Sequence, residues 1–366
     1  MHSTTPSVPE AVQEQVNATR EDLSPLVRLE RLAPALAAAL DDERWLRLDA
    51  TLLADGKSNL TFEITSEAGA VVLRRPPSGA LLPRAHDMGR EARVQRALRD
   101  SAVPVAAVLL DDLDGELIGA PFYVMEKVPG HVIRDRLPPA YAEAAPDRTA
   151  LADALIDVLV ALHAVGPAEV GLTDFGRPTG FLERQVRRWQ GQWAKSKTRD
   201  VPALDELGAG LAALLERVAM PRSSIVHGDF RLDNCLMDLA DPGRVAAVLD
   251  WELSTLGDPM TDLGLLLFYW REAGETESPL TPTVTTGAGF PGRAYLAQRY
   301  AAATGASLDH LALYEAFAHF KFAVIAQGIA ARVAAGAMAG QDFGNLDAEV
   351  VRCAEEGMAR LGEEGR

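Results

Sequence analysis

The stretch IVHGDFRLDNCLMD, Ile225 to Asp238, followed by VLDWE, Val248 to Glu252, decides how this chain is read. Asp229 stands five residues before Asn234, and Asp250 ends an apolar run. A D-x-x-x-x-N spacing with a further carboxylate close behind is the pattern of a loop that pairs a proton acceptor with two metal ligands at a phosphoryl-transfer centre. Leu236 and Met237, then a turn rich in Asp, Pro and Gly over Asp238 to Gly243, then Arg244 to Leu249, spell strand, turn and strand. Such a hairpin brings the Asn234 and Asp250 ends together. A lone His-Gly-Asp is common, and either Asp alone serves as well as a turn residue or cap; the combination points to chemistry.

Transfer of a terminal phosphoryl group leaves little covalent work for a protein, which must align a hydroxyl, carry its proton and neutralise charge with metal. Asp229 is the expected proton acceptor. Mg²⁺ prefers oxygen ligands and enters with nucleotide phosphates, which suits an amide oxygen from Asn234 and a carboxylate from Asp250. Arg231, two residues beyond the base, is placed to offset charge on the migrating group. A metal-dependent hydrolase would need a water-activating cluster, and no further His or acidic spacing supplies one.

The chain has 366 residues, 48% apolar and 24% charged, enough for two lobes of ordinary domain size. Its formal charge of −16 argues against affinity for nucleic-acid backbones or anionic membranes. Cys235 and Cys353 are the only cysteines, so no disulfide framework is implied and a reducing, cytoplasmic setting is expected. No basic segment precedes an apolar core at the N-terminus, and no run approaches a membrane span. Oligomeric state is not legible.

Residues 1–24 are polar and Pro-bearing, expected to be disordered or loosely attached. Helical spacing over Val27 to Leu40 precedes strands at Trp45 to Leu53, Leu60 to Thr65 and Val71 to Arg75, a helix at Met88 to Asp100, and strands at Val105 to Leu110 and Pro121 to Val128. Val128-Pro129-Gly130 is a break. Beyond it helical spacing dominates: Thr149 to Ala164, Gly180 to Lys195, Leu204 to Val218, Met260 to Arg271, Ala294 to Ala303 and Leu311 to Ala335.

With these motifs the chain resembles the aminoglycoside phosphotransferase superfamily, whose loop reads His-Gly-Asp and whose metal Asp is not followed by Phe-Gly. Val248 to Glu252, Leu256-Gly257-Asp258-Pro259 and Asp262-Leu263-Gly264 resemble the branch fused to some acyl-CoA dehydrogenases. The resemblance covers about residues 28–350. It implies an α+β, bilobal protein-kinase-like fold: a small antiparallel β-sheet N-lobe over 25–128 that binds nucleotide, and a larger mainly helical C-lobe over 129–366 with the catalytic loop and acceptor site.

It also implies site residues. His227 matches the histidine that supports the loop, Asp258 and Asp262 would cap and brace it, and His163 is expected to be a packed helix residue. Gly56, Ser58 and Asn59 match a phosphate-covering Gly-x-Ser-Asn-Leu-Thr pattern. Arg74 stands where kinases carry a phosphate-binding Lys, with Arg75 the near alternative, and Glu91 would be its ion-pair partner. The Glu126 carbonyl and Val128 amide would read adenine, with ATP the natural donor although some relatives use GTP.

The implied activity is ATP- and Mg²⁺-dependent transfer to a hydroxyl of a small molecule, a hydroxyacyl-CoA before an aminoglycoside. Glu355, Glu356, Glu363 and Glu364 would serve a polycation only if the C-terminus reached the cleft. Lys321, Gln327 and Arg332 share a roughly helical face suited to an anion or to solvent. The Arg at 74 and the sparse glycine loop also motivate a nucleotide-binding module without turnover.

Overall fold

In the computed structural model, strand parity builds the first unit from the inside out. The structure describes residues 24–55, 59–77, 86–215, 223–276, 278–336 and 343–364. The stretch 1–23, together with Gly56, Lys57 and Ser58, lies outside the described residues. By its contacts the chain divides into one unit of residues 1–99 and 106–128 and a second of 100–105 and 129–366.

The first unit is a five-stranded antiparallel sheet with helices. After helix α1 (Leu29–Leu40) come β1 (Asp49–Asp55), β2 (Leu60–Ser66), β3 (Gly69–Arg75), α2 (Met88–Leu98), β4 (Val108–Asp112) and β5 (Phe122–Glu126), in sheet order β1-β2-β3-β5-β4. Successive side chains of a strand face opposite ways. Phe62, Ile64, Val71, Leu73, Phe122 and Val124 accordingly pack with Leu32 and Leu36 of α1. Val72, Tyr123 and Met125 take the other face with Met88 and Ala92 of α2. The expected strand from Trp45 begins only at Asp49, because the Asp42 carboxylate accepts the Arg44 amide and holds Glu43–Leu46 in a 3-10 turn.

The second unit is mainly helical: α3 (Ala145–Ala164), α4 (Phe181–Ser196), α5 (Pro202–Leu215), α6 (Met260–Tyr269), α7 (Arg293–Thr304), α8 (Leu311–Ala334) and α9 (Leu346–Leu361). Helix α8 packs on α4, α5, α6 and α9. Phe317, Phe320, Ala323 and Ala326 are buried along it, so its alanines serve close packing. Helix α9 goes unanticipated in the sequence reading. The β exceptions are β6 (His131–Val132), β8 (Cys235–Met237) and β9 (Val245–Val248), ordered β6-β8-β9, and the pair β7 (Ser224–Val226) with β10 (Thr255–Gly257). Among the described residues no helix is long and apolar enough to cross a membrane.

Helices α6 and α8 approach so closely that Gly264 has no room for a side chain. A Cβ there would stand 2.8 Å from the Tyr314 backbone. Gly264→Ala is expected to lower the unfolding free energy by about 1–3 kcal/mol through overpacking, read by denaturant unfolding.

Candidate active site

Strand β7 delivers the chain into a loop whose first requirement is a glycine. Gly228 has φ of +82°, and a Cβ on it would lie 2.6 Å from the Leu253 carbonyl oxygen. Asp229 follows, partly buried. Asn234 Nδ2 donates to the Asp229 backbone carbonyl at 2.8 Å and to its carboxylate at 3.0 Å, closing the loop on itself. The hairpin then returns the chain: Cys235 pairs with Val248, and the Leu249 amide donates to the Asn234 carbonyl at 2.8 Å. Asp250 is thereby set beside Asn234, in a left-handed conformation with φ of 63°. An L-residue takes that conformation at a cost of roughly 1–2 kcal/mol. Trp251 anchors the turn, donating its indole N–H to Val248 and packing its ring 4.8 Å from that of His227.

His227 is buried and its two nitrogens are assigned by their partners. Nε2 lies 2.8 Å from the Leu249 carbonyl, which only accepts, so Nε2 carries the proton. Nδ1 accepts the Asp229 amide at 3.2 Å. With both nitrogens engaged, the imidazole holds the loop to the hairpin and offers no lone pair to a substrate. Beneath it lies Asp262, whose carboxylate accepts the His227 amide at 2.6 Å and the Gly228 amide at 2.8 Å. His163 Nε2 reaches the same carboxylate at 3.3 Å, and its Nδ1 meets the Tyr300 hydroxyl at 2.8 Å. Asp258 serves elsewhere, accepting the Met260 amide at the start of α6 and the Tyr314 hydroxyl.

Burial alone would push the Asp229 carboxyl up, but the charges of Arg231 and Lys321 and the Asn234 bond outweigh it and hold the carboxyl below its ordinary range. Arg231 Nε lies 3.2 Å from Asp229, and Nη1 lies 3.1 Å from Asp233. The guanidinium also stacks 4.9 Å from the centre of Tyr269. Arg134 donates to Asp233 from the other side at 2.8 Å. Lys321, on α8, is buried and donates to the Gly228 carbonyl at 2.7 Å. Its expected companions part from it: Gln327 is buried and donates to Ser196 and Thr198, while Arg332 is exposed. The shared anion face does not exist.

In the first unit, Glu91 is wholly buried and gathers a polar cluster. Asn59 Nδ2 donates to it at 2.8 Å, Tyr123 at 2.9 Å, and Arg74 Nε stands 3.3 Å away. His86 Nδ1 lies 2.8 Å from the Asn59 side-chain oxygen. Parity decides between the two arginines. Arg74 shares the α2 face with Val72, whereas Arg75 turns to the α1 face and donates to the Leu26 carbonyl at 2.6 Å. Glu126 ends β5, exposed, its amide bonded to the Ala107 carbonyl at 2.8 Å, and Val128 is partly buried beside the Val72 cluster. Gly56 and Ser58 lie outside the described residues. The structure thus brings His227, Asp229, Arg231, Asn234 and Asp250 into one loop and hairpin, and Asn59, Arg74 and Glu91 into one cluster. Lys321 on the Gly228 carbonyl is the contact that sequence reasoning missed, because its partner is a backbone atom.

Cys235 and Cys353 are both free and buried, and burial pushes both thiols up, so neither is a nucleophile.

A family model described as the phosphotransferase enzyme family matches residues 49–313. The human acyl-CoA dehydrogenase family member 11 is 35% identical over 80% of this chain, which covers 37% of that protein. The mouse family member 10 is 36% identical over 77% of the chain, covering 26% of that protein. This chain therefore spans well under half the length of these relatives. Among solved structures, an aminoglycoside-phosphotransferase-like protein of Ralstonia eutropha is 33% identical with a TM-score of 0.74, over 87% of this chain and 94% of that one. Aminoglycoside phosphotransferase APH(4)-Ia, seen with AMP-PNP and hygromycin B, shares the fold at 16% identity and a TM-score of 0.59, over 91% of this chain and 98% of that one. Sequence and fold agree that this chain belongs to the aminoglycoside phosphotransferase family of phosphotransferase enzymes.

Proposed function

We propose that this protein moves the γ-phosphoryl group of ATP, with Mg²⁺, to a hydroxyl of a small acyl-bearing molecule, with Asp229 as the proton acceptor. The observation that carries the reading is the Asp229–Asn234–Asp250 arrangement: a carboxylate kept ionised, tied at 3.0 Å to an amide that stands beside a second carboxylate across a hairpin bond. An ionised, partly buried Asp in that place accepts a proton as a bound hydroxyl attacks.

The residues present fit Mg²⁺. Asn234 spends its N–H group on Asp229, so its side-chain oxygen is the atom that suits a hard cation, and Asp250 supplies a carboxylate beside it. Among the described residues no group of three or more His, Cys, Asp or Glu side chains is placed to hold a metal, which suits an ion that arrives with nucleotide phosphates. When bound, Mg²⁺ neutralises phosphate charge. Arg231, braced by Asp229, Asp233 and Tyr269, meets charge on the transferred group, and His227 keeps the loop in place. On the nucleotide side, Arg74 takes the phosphate role with Glu91 as its partner, and Asn59 joins the same cluster. Gly56 and Ser58 would complete the phosphate loop, and the backbone of Glu126 and Val128 would meet adenine.

An anionic acceptor fits better than a polycation. Arg231, Arg134 and Lys321 surround Asp229 and Asp233 with positive charge. Of the four C-terminal acids that an aminoglycoside would need, three are engaged elsewhere, Glu356 on Arg352, Glu363 on Arg360, and Glu364 on His310 and the Leu313 amide, while Glu355 is exposed. Similarity to part of the acyl-CoA dehydrogenase family members supports a hydroxyacyl-CoA as that acceptor, and a reducing cytoplasm suits two free thiols.

Product mass after incubation with Mg-ATP and a panel of hydroxyacyl-CoAs, aminoglycosides and amino alcohols tests the reading; no phosphorylated product would sink it. Asp229→Asn is expected to cut turnover by roughly 10²-fold or more while ATP affinity holds. Asp250→Ala is expected to weaken nucleotide binding in Mg²⁺ but not in EDTA, measured by calorimetry. Arg74→Ala is expected to raise the ATP KM, and an unchanged value would remove the phosphate contact.

A further inference from the structure

A small cavity of about 60 Å³ opens against Gly228, one residue from Asp229. Apolar Leu265 and Phe317 form one part of its wall, Lys321, Arg188 and Trp189 another, and Asp262, its oxygens already bonded to the His227 and Gly228 amides, a third. On that measure a water takes roughly 10–15 Å³, so the cavity holds about four to six water-sized groups. That is the size of a short acyl head.

Its polar groups are mismatched to one another in an informative way. Lys321 Nζ lies 6.0 Å from the centre of the Trp189 ring and the Arg188 guanidinium 5.6 Å from it, so two cations share one indole. Among the described residues neither cation makes an ion pair. Lys321 spends one donor on the Gly228 carbonyl, and an ammonium has three. The indole N–H of Trp189 is buried with no acceptor. A buried ammonium without a direct carboxylate partner is costly, and that cost is relieved by an acceptor oxygen placed in the cavity. Burial pushes the Lys321 ammonium down, while Asp229 and Asp262 favour its charged form.

We propose that this cavity is the acceptor's acyl subsite: Lys321 and Arg188 take the oxygen of a carboxylate or thioester carbonyl, against the face of Trp189, while the same molecule's hydroxyl reaches Asp229. The proposal deepens the phosphotransferase reading and rests on it for the hydroxyl's role alone. Arg188 and Lys321 are then specificity-determining residues, since they favour an acyl oxygen and repel an amine.

Calorimetric binding of short hydroxy acids, their coenzyme A thioesters, coenzyme A alone and kanamycin tests it on the full chain, beside turnover with Mg-ATP. At least one hydroxyacyl ligand is expected to bind the native protein and Asp229→Asn alike. Arg188→Ala and Lys321→Met are each expected to weaken that binding by about tenfold or more, the worth of a charged hydrogen bond, with ATP binding unchanged. Arg188 is exposed, so its variant is expected to fold even if Lys321→Met does not. Binding of the free acid, of the thioester or of both identifies which source supplies the oxygen. The subsite is overturned if no hydroxyacyl ligand binds, if Arg188→Ala leaves affinity unchanged, or if coenzyme A alone loses as much affinity as its thioesters. Binding without phosphorylated product would fail the transferase reading and leave the subsite; product with an unchanged acceptor KM in Arg188→Ala would do the reverse.

Discussion

One buried carboxylate sets the geometry of the catalytic loop. Asp262, on the first turn of α6, accepts the consecutive amides of His227 and Gly228 and so fixes the two peptides that lead into Asp229. Burial alone would push this carboxyl up, but the His163 bond and the Gly228 amide bond outweigh it and hold it below its ordinary range, an ionised acceptor on a rigid helix. The demand spreads outward. Two backbone donors pointing one way require a turn that only glycine makes, with φ of +82° at Gly228. The imidazole of His227 then faces the hairpin, where its N–H finds Leu249 and its lone pair the Asp229 amide. Gly264, two residues beyond Asp262, lets α6 lie against α8, the helix that carries Lys321 to the same loop from the other side.

The sequence spelled out the parts whose partners are close along the chain. The Asp229 to Asn234 spacing, the turn-rich hairpin and the glycine between His227 and Asp229 are local, and local geometry forces their contacts. Asp262 was legible as a brace because its role follows from a motif of fixed spacing. Asp258, read the same way, braces helix α6 and Tyr314 instead. Arg74 against Arg75 was open to a parity argument: once Val71 and Leu73 face α1, Arg74 must face α2 and Glu91. Other contacts carried no such signal. Lys321 meets a backbone carbonyl 93 residues away, which no side-chain pattern announces. Helix α9 was hidden because acidic and basic residues dilute its apolar stripe of Leu346, Val350, Cys353 and Ala354, although all four are buried.

Arginine in the place of the kinase lysine at position 74 does not by itself argue for a lost activity. The usual ion pair is kept: Arg74 Nε stands 3.3 Å from Glu91, in a cluster shared with Tyr123 and Asn59. A guanidinium can give Nε to one carboxylate and keep its terminal nitrogens for phosphate oxygens, whereas an ammonium must divide a single point of charge. The longer side chain therefore alters the reach of the phosphate contact more than its sign. Tyr123, held neutral by burial, fits this arrangement, since it donates to Glu91 without adding charge.

On the proposed reading, the same cations that keep Asp229 ionised would also select what approaches it. A base of this kind needs positive neighbours, because burial otherwise favours its protonated form. Arg231 and Lys321 supply them; Arg231 is paired with Asp229 and Asp233, whereas Lys321 makes no ion pair among the described residues, and Arg188 adds a third charge at the small cavity. A polyamine acceptor entering here would meet like charge at Lys321 and Arg188. An acyl oxygen would meet the remaining donors of Lys321 and leave Asp229 as it is. On the proposed reading, proton acceptance and acceptor choice are one electrostatic problem, and a variant that made room for an amine by removing Lys321 would also let the Asp229 carboxyl rise toward its ordinary range.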